Sequence, residues 1–227
     1  MGKRQESREK IEAQIVELGR RHLVTDGAAG LSLRAIARDL GMVSSAVYRY
    51  VAGRDNLLTL LLVDAYSELA DAVDHAAAAG GPWRDQLLAM ARAARAWAVD
   101  QPARWALLYG SPVPGYHAPR EHRVGPGTRV VGALFQAIGA GIAAGDVPQA
   151  NSPAAQPLSL DFDRLRVEFG FAGDDSAVAK CFVLWAGLVG AISLEVFGQY
   201  GADTMTEPGA VFDTQVRLLI EALTILN

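Results

Sequence analysis

The stretch LSLRAIARDLGMVSSAVYRYVAGRDNLL, residues 31–58, decides the fold of this chain. Its first part, Leu33 to Leu40, places apolar residues on one face at the three-and-four spacing of an α-helix. Ser32 precedes this helix as an N-cap, because its hydroxyl can accept a free backbone N–H. Gly41 ends the helix, since glycine adopts the left-handed conformation of a C′ position at little steric cost. The stretch therefore begins with a short, capped helix.

A second short helix is predicted from about Ser44 to Val51, after a turn at Met42 and Val43. Two short helices joined by a few residues that include glycine form a helix-turn-helix. The outer face of the second helix carries hydroxyls and a guanidinium, which bond the phosphate oxygens and base edges of DNA. The residues of that face are Ser44, Ser45, Tyr48, Arg49 and Tyr50. Arg54 opens the next helix, where free backbone N–H groups already favour an anion.

These residues resemble the DNA-binding domain of the TetR family of bacterial transcriptional regulators. The matching positions are Leu31, Ile36, Ala37, Gly41, Val47, Tyr48, Arg54 and the pair Leu57–Leu58. The resemblance implies that Tyr48 grips the DNA backbone and that Arg54 holds a phosphate. It also implies that the residues facing the groove or the backbone are Arg34, Ser44, Ser45, Arg49 and Tyr50.

Two positions depart from the family pattern. Val43 stands where the family often has a capping Ser or Thr, so we expect Ser44 to take over the cap and to shift the helix start. Val51 stands where the family often has Phe, which leaves a smaller anchor between the motif and the next helix. Neither position lies on the predicted DNA-binding face.

Charge is unevenly distributed along the chain. The formal net charge of −4 by itself argues against a nucleic-acid partner. Residues 1–56, however, hold ten Lys and Arg against seven Asp and Glu, whereas residues 57–227 hold eleven against eighteen. A basic head on an acidic body places the phosphate-binding surface in the N-terminal part. We therefore divide the chain into a helix-turn-helix DNA-binding domain, residues 1–56, and, as the resemblance implies, a ligand-binding and dimerisation domain, residues 57–227.

Apolar periodicity predicts an all-α chain, without a convincing strand or internal repeat. Beyond the helix-turn-helix, helices are predicted at Glu6–Asp26, Arg54–Ala78, Pro82–Asp100, Pro102–Tyr109, Thr128–Gly145, Asp161–Phe171, Asp175–Tyr200 and Pro208–Leu226. The stretch Gly110–Gly127, rich in Pro and Gly, and the polar stretch Asp146–Ser159 are predicted loops. The predicted architecture is a three-helix head followed by a helical body.

The helix predicted at Asp175–Tyr200 is apolar nearly all round, so both of its sides must be covered. One side can face the core of its own chain, but a chain of 227 residues is too small to cover the other. Small residues four apart allow a second helix to approach closely, and they form the pairs Ala186 with Gly190 and Gly187 with Ala191. Together with the final helix, this pattern predicts a homodimer built on four helices.

The C-terminal part resembles the regulator subgroup with a WHG-type body, through DQPARWALLYGSPVPGYHAP and LWAGLVGAISLEVFGQYG. Trp185 and Gly190 match the signature, whereas Val189 stands at its His position. Aromatic side chains from several body helices can line one apolar pocket with a few polar tips, the usual form of a small-molecule site. The predicted lining is Trp97, Trp105, Tyr109, Tyr116, Phe135 and Trp185, although ordinary core packing explains each of them equally well.

No catalytic or metal site is predicted. His117 and His122 share a loop without metal-ligand spacing, and no P-loop, dinucleotide motif or nucleophile elbow is found. The single cysteine, Cys181, lies in an apolar run and is predicted to be a small buried hydrophobe. The run Cys181–Leu194 is too short for a membrane span, and the N-terminus lacks the apolar region of a signal peptide. These features predict a cytoplasmic protein that is not an enzyme and has no cofactor.

The predicted function is a ligand-responsive, homodimeric regulator that binds double-stranded operator DNA. In this hypothesis a repressor leaves a near-palindromic operator when a small apolar or aromatic effector binds. One alternative is a helical small-molecule-binding protein or enzyme whose N-terminal motif only packs, and the positive head argues against it. Another is an architectural DNA-binding protein without an effector, which would not need the large apolar body.

Overall fold

A computed structural model describes residues 3–117, 120–150, 153–201 and 204–225. All helices in these residues are α-helices, and no strand occurs among them. The all-α prediction is therefore confirmed. The helices are α1 Lys3–Gly30, α2 Leu33–Asp39, α3 Ser44–Val47, α4 Arg54–Ala77, α5 Trp83–Asp100, α6 Pro102–Tyr109, α7 Arg120–Ala143, α8 Leu158–Phe169, α9 Asp175–Val196 and α10 Pro208–Leu223.

The chain folds into two compact units, each assembled from two separate stretches of sequence. Unit 1 comprises Met1–Glu68 and Gln101–Gly127, and unit 2 comprises Leu69–Asp100 and Thr128–Asn227. Unit 1 thus contains the helix-turn-helix together with the first part of α4 and all of α6. The functional boundary between residues 56 and 57 stays a prediction, since compactness does not assign function.

The core of unit 1 is an apolar cluster beneath the helix-turn-helix. Ile15 of α1, Ile36 of α2 and Val47 next to the turn are fully buried in it. Val51 is also fully buried, so the smaller anchor expected from the sequence still fills its place. Burial of a whole aliphatic side chain contributes about 1.5–3 kcal/mol, so this cluster holds the two short helices rigidly on α1 and α4.

In unit 2 the apolar helix α9 packs against α5, α8 and α10. Gly187 allows the close approach of α10, because a Cβ at this position would lie 2.7 Å from Leu219 Cδ1. Arg95 of α5 donates to Glu195 of α9 over 2.7 Å. Lys180 is buried and donates to the carbonyls of Pro148, Leu223 and Ile225. Gly187 and Lys180 thus fix α10 on one side of α9, and Arg95 ties α5 to the same helix.

Two element boundaries differ clearly from the prediction. α7 begins at Arg120, so residues 120–127 of the expected loop are helical. An interior proline costs about 3 kcal/mol in an isolated helix, but the apolar face that follows Pro126, including Leu134 and Ile138, is buried and offsets that cost. α1 extends to Gly30 rather than ending at Asp26, with a kink at Gly27, whose φ of 67° is left-handed.

Smaller differences concern helix ends. α3 ends at Val47 rather than Val51, because the next residues form tighter turn bonds such as Tyr50 N–H to Val47 O. α8 begins at Leu158 rather than Asp161 and ends at Phe169. α9 ends at Val196, four residues earlier than predicted. Helix termini fray and carry weak sequence signals. Among the predicted site residues, these shifts affect only Tyr48, Arg49 and Tyr50, which lie in the turn after α3 and not in the helix.

Candidate functional site

The helix-turn-helix is held by the two local signals that the sequence contains. The Ser32 hydroxyl accepts a hydrogen bond from the Ala35 N–H, as predicted for an N-cap. Gly41 has a φ of 65°, and the next residue, Met42, donates its N–H to Ala37 O over 2.9 Å. This bond closes the end of α2 and turns the chain towards α3. Both capping predictions for α2 are confirmed.

The start of α3 differs from the expectation. Its N-cap is Val43, an extended residue that offers no side-chain bond, and the helix begins at Ser44. The prediction that Ser44 takes over the cap is therefore wrong. A backbone bond from Ala46 N–H to Val43 O, 2.9 Å long, closes the first turn instead. Ser44 and Ser45 are exposed, so their hydroxyls lie on the outer surface.

The predicted DNA-binding residues form a mostly exposed set around α3. Ala46 and Val47 point into the core, so the opposite side of α3 faces outwards. Tyr48 is 47% exposed, and its fellow exposed residues are Arg34, Ser44, Ser45 and Arg49. Tyr50 differs from them, because it is half-buried and packs against the unit 1 core. The arrangement offers a guanidinium and several hydroxyls to a ligand outside the chain.

Arg54 is already engaged within unit 1. Its Nη2 donates to the carbonyls of Ala28 and Ala29, over 2.9 and 3.2 Å. Its Nη1 lies 3.9 Å from the carboxylate of Asp55. Arg54 therefore ties the junction between α1 and α2 to the start of α4. The predicted contact between Arg54 and a DNA phosphate stays a prediction. The same guanidinium would have to bind the phosphate while it also donates to the carbonyls of Ala28 and Ala29.

His22 links α1 to α2 beside the motif, a role that the sequence reasoning missed. Its Nδ1 lies 3.0 Å from Asp26 Oδ2, and its Nε2 lies 2.7 Å from Asp39 Oδ2. The hydrogen bond to Asp39 raises the pKa of His22 above its usual range; burial opposes this shift, and the weaker effect of the bond to Asp26 adds to it. The spacing of His22 and Asp26 by four residues was a readable signal, but the contact with Asp39 was not.

A second missed feature is a charge cluster that joins three helices of unit 1. Arg20 of α1 donates through Nε to Asp64 of α4 over 2.8 Å. Arg104 of α6, which is buried, reaches the same carboxylate at 3.0 Å and Glu68 at 2.5 Å. Loss of its carboxylate partners would leave the buried guanidinium of Arg104 uncompensated, which is strongly destabilising. The cluster therefore couples the positions of α1, α4 and α6.

The predicted ligand-binding aromatic residues fall equally into the two units. In unit 1 the ring centroids of Trp105 and Tyr109 are 4.4 Å apart, and the hydroxyl of Tyr116 lies 2.9 Å from that of Thr59. Burial raises the pKa of Tyr109. In unit 2 Phe135 is fully buried, while Trp97 is buried and Trp185 is half-buried.

The packing of these residues supports a core role at least for Phe135. Its ring stacks on Phe169 with centroids 4.8 Å apart and meets Phe171 edge-on at 4.9 Å. Such aromatic pairs add about 0.5–1.5 kcal/mol beyond simple burial. The effector-binding role of the six aromatic residues stays a prediction.

Unit 2 contains a cavity of about 370 Å³ between α4, α5 and α7. Its floor is formed by Ala77, Met90, Ala133 and Ala137. Its polar rim is formed by Asp74, Gln86, Arg129 and Gln136. None of the six predicted aromatic residues lines it. Ligand pockets usually measure about 300–1,000 Å³, so the cavity has room for a small molecule.

Metal-binding and thiol chemistry have little support within the part of the chain that the structure describes. There, no group of three or more His, Cys, Asp and Glu side chains is arranged to hold a metal ion. Cys181 is buried, and burial raises the pKa of its thiol to about 12. The predicted role of Cys181 as a small buried hydrophobe is confirmed. The side chain of His122 lies outside the described residues.

Comparison with known proteins agrees with this site. Residues 87–219 match the family model described as "Tetracyclin repressor-like, C-terminal domain". HTH-type transcriptional regulators of Mycobacterium tuberculosis and Mycobacterium bovis are each 67% identical to this chain over 225 residues, covering 98% of it and 96% of their own length. The helix-turn-helix and the helical body therefore define a DNA-binding transcriptional regulator, not an enzyme. The chain belongs to the TetR family.

Solved structures show the same fold. The structure of the regulatory protein SCO4313 superposes with a TM-score of 0.79 at 32% identity, covering 97% of this chain and 100% of that one. FadR from Bacillus subtilis, solved in complex with stearoyl-CoA, gives a TM-score of 0.67 at 10% identity, covering 92% and 97%. The second likeness concerns the fold alone.

Helix α9 is long and apolar. By length and composition it can cross a membrane, so the expectation based on its uncharged run alone was too strict. Core helices of soluble proteins pass the same test, and one such helix is weak support for a membrane protein. Regulators of the TetR family are soluble, and α9 packs on three other helices of unit 2.

Proposed function

We propose that this regulator is a homodimeric repressor that acts in the cytoplasm and leaves a near-palindromic operator when a small-molecule effector binds. The observation that carries the proposal is the exposed face around α3, with Tyr48 and Arg49 held on a fully buried core. Arginine forks onto guanine in the major groove, and hydroxyls bond phosphates. A rigid support keeps these groups in the geometry that base reading requires.

The outer face of α9 supports the dimer. Phe182 is 46% exposed and Val183 is 60% exposed, whereas large apolar residues usually avoid water. The exposed residues recur every three or four positions and form one stripe, the α9 stripe: Ala179, Phe182, Val183, Ala186, Gly190, Leu194 and Phe197. On α10, Leu218 is 60% exposed. Contiguous apolar patches of this kind mark protein–protein interfaces.

The small residues of α9 divide between the two sides of the helix. Gly187 packs on Leu219 of the same chain, but a Cβ added at Gly190 would meet no atom within 4 Å. Gly190 and Ala186 therefore leave room for a helix from elsewhere. A second copy of α9 and α10 fits this space in a two-fold arrangement, because such an interface uses the same patch on both partners.

A two-fold dimer presents two copies of the helix-turn-helix to DNA. Its operator then has matching half-sites in opposite orientation, with centres about one helical turn apart or somewhat more. Repression follows if the operator overlaps a promoter. The effector lowers the affinity for DNA if it binds the DNA-incompetent state more tightly, and a hundredfold preference corresponds to about 2.7 kcal/mol.

The complex of FadR with stearoyl-CoA supports an effector site in a fold of this kind, although it says nothing of the effector of this chain. The six aromatic residues predicted from the sequence and the cavity of unit 2 are both candidates for that site. The predicted effector is apolar or aromatic, since both candidates offer mainly apolar surface.

The proposal is tested by selecting bound duplexes from a random DNA library and by measuring the molar mass of the protein in solution by light scattering. We expect a near-palindromic consensus, a dimer at micromolar concentration, and two chains on each selected duplex. A stable monomer, or a selected sequence without inverted symmetry, would contradict the dimeric repressor. A broad library of apolar compounds, added to the protein–operator complex, then tests release.

A further inference from the structure

The cavity of unit 2 has an apolar floor because small side chains face each other there. Ala77 of α4, Ala133 and Ala137 of α7 leave space that larger residues would fill, and Met90 of α5 completes the floor. Methionine is unbranched and polarisable, so it adapts to apolar groups of different shape. The floor thus accepts the apolar part of a ligand without strong selection for its outline.

The charged residues of the rim, Asp74 and Arg129, belong to a cluster with Asp71, which lies just outside the cavity lining. Arg129 Nη2 donates to Asp71 Oδ1 over 2.8 Å and to Asp74 Oδ2 over 2.5 Å. Two carboxylates of α4 thus share one guanidinium of α7, and the three groups carry a net charge of −1. These hydrogen bonds raise the pKa of Arg129, so the guanidinium stays charged. The side chains are 70%, 45% and 41% exposed for Asp71, Asp74 and Arg129, which leaves them open to a ligand.

We propose that this cavity is the effector site and that the effector is a small apolar molecule with one cationic group, which pairs with Asp74. The inference rests on the proposed function and names the chemical class of its effector. A cation at Asp74 brings the cluster of Asp71, Asp74 and Arg129 to neutrality, whereas an anion has to approach two carboxylates and a guanidinium that they already occupy. Gln86 and Gln136 add polar amides at the rim beside the apolar floor.

The same geometry gives the ligand a means of changing the protein. Arg129 is a link between α7 and α4, because it binds both Asp71 and Asp74. A cationic ligand at Asp74 competes with Arg129 for this carboxylate and loosens the link. α4 is also the helix on which Arg54 and Asp64 lie. Arg54 holds the α1–α2 junction, and Asp64 binds Arg20 and Arg104 in unit 1. Competition at Asp74 therefore acts on the helix that the DNA-binding unit is built on.

The test uses three probes with the same tail and different head groups: phenylbutylamine, phenylbutanol and phenylbutanoate. Isothermal titration calorimetry on the full chain measures their dissociation constants. We expect the amine to bind about fivefold to tenfold more tightly than the carboxylate, as for a partly exposed ion pair. Equal or tighter binding of the carboxylate overturns the proposal, as does the absence of binding by phenylbutylamine and by the same amine with a shorter and a longer tail.

Variants separate the cation site from general effects on folding. Asp74→Asn should weaken binding of the amine about fivefold to tenfold and leave the alcohol unchanged. Arg129→Ala should tighten binding of the amine, because it removes the competing cation, and this opposite sign excludes simple unfolding. Asp85→Asn is the matched control, since Asp85 is exposed on α5 and does not line the cavity. An unchanged amine affinity in both rim variants overturns the proposal.

A last variant tests the floor and separates this inference from the proposed function. Ala133→Trp fills the cavity, and it should abolish binding of all three probes while thermal unfolding remains cooperative. If probes bind equally well to this variant, the site is elsewhere. The DNA selection is read independently: a palindromic operator with no amine binding rejects the cavity alone, and amine binding without any selected DNA rejects the repressor alone.

Discussion

Helices α3 and α9 both present an exposed face, but the two faces are built from opposite chemistry. Around α3 the exposed groups are the hydroxyls of Ser44 and Ser45 and the guanidinium of Arg49. On α9 they are aromatic rings and methyl groups, such as those of Phe182 and Val183. The first face exchanges water for phosphate and base edges, whereas the second gains only by losing water altogether. Exposure alone thus says little, and the chemistry of the exposed atoms indicates the kind of partner.

The strongest way to break this comparison is to put charge on the α9 stripe. Val183→Arg would bury two unpaired cations at a two-fold interface, at a cost of about 3–5 kcal/mol. We expect the dimer dissociation constant to rise at least about a hundredfold, and binding to a palindromic operator to fall with it. Sedimentation velocity over a concentration series measures the change.

Val167→Arg is the matched control for that variant. Val167 is 85% exposed on α8 and lies outside the α9 stripe. It should leave the dimer intact, because it adds the same charge to a surface that stays in water. Equal loss of the dimer in both variants would mean that net charge, and not the α9 stripe, controls association.

A sharper test of the α3 face is Arg49→Ala. If Arg49 forks onto a base, the variant should lose about 1–3 kcal/mol at one operator position and tolerate any base there. Repeating the DNA selection with the variant measures the changed preference. Arg164→Ala removes an exposed arginine from α8 and serves as control. An unaltered consensus for the Arg49 variant would show that this side chain does not read a base.

The variant Arg54→Ala tests whether Arg54 both stabilises the fold and binds a DNA phosphate. Loss of its bonds to the Ala28 and Ala29 carbonyls should lower the free energy of unfolding by about 1.5 kcal/mol. Loss of a phosphate contact should weaken binding to all sequences and reduce the slope of log K against log salt by about 0.9. Urea unfolding and binding at several salt concentrations measure the two effects. If only stability changes, Arg54 positions the α1–α2 junction and does not touch DNA.

The smallest expected effect concerns pH and His22. Because the folded protein raises the pKa of His22, its stabilising contribution is complete below the unfolded pKa of about 6.5 and is lost as pH rises through the folded pKa. The facing groups are Asp26 of α1 and Asp39 of α2, with Arg38 Nε 4.0 Å from Asp39. The contribution is below about 1 kcal/mol.

Urea unfolding at pH 6 and at pH 9 measures this effect. The stability difference between wild type and His22→Gln should shrink at the higher pH. His75→Gln, on the exposed surface of α4, is the control and should show no such convergence. A difference that grows with pH would mean that the neutral imidazole, and not the cation, is the stabilising form.

The head was largely predictable from the sequence because its signals are local. Ser32 and Gly41 act on backbone groups within three or four residues, and the apolar spacing of α2 matches its buried face. The cap of α3 was not predictable in this way. A serine next to the turn suggested a side-chain cap, but Val43 had already adopted the extended conformation and the backbone closed the turn.

The remainder depends on interactions between distant parts of the chain. Arg20 and Asp64 are 44 residues apart, and Arg104 and Asp64 are 40 apart, so no spacing rule connects them. The start of α7 was obscured by Pro126, whose local preference was overridden by packing. The cavity was not predicted because its floor is mostly alanine. In a sequence, alanine indicates a helix but gives no sign of a binding site. The sequence reasoning placed the effector pocket at six aromatic residues, but at least Phe135 packs against Phe169 and Phe171 in the core.

Lys180 gives residues 223–225 a structural role. Its buried ammonium has three carbonyl acceptors, two of which belong to Leu223 and Ile225. Residues near a chain end usually tolerate deletion or fusion, but cutting before Leu223 would leave this cation with only the carbonyl of Pro148. Shortened or tagged forms of the protein must therefore keep residues 223–225 intact, because their backbone serves as the counterpart of a charge on α9.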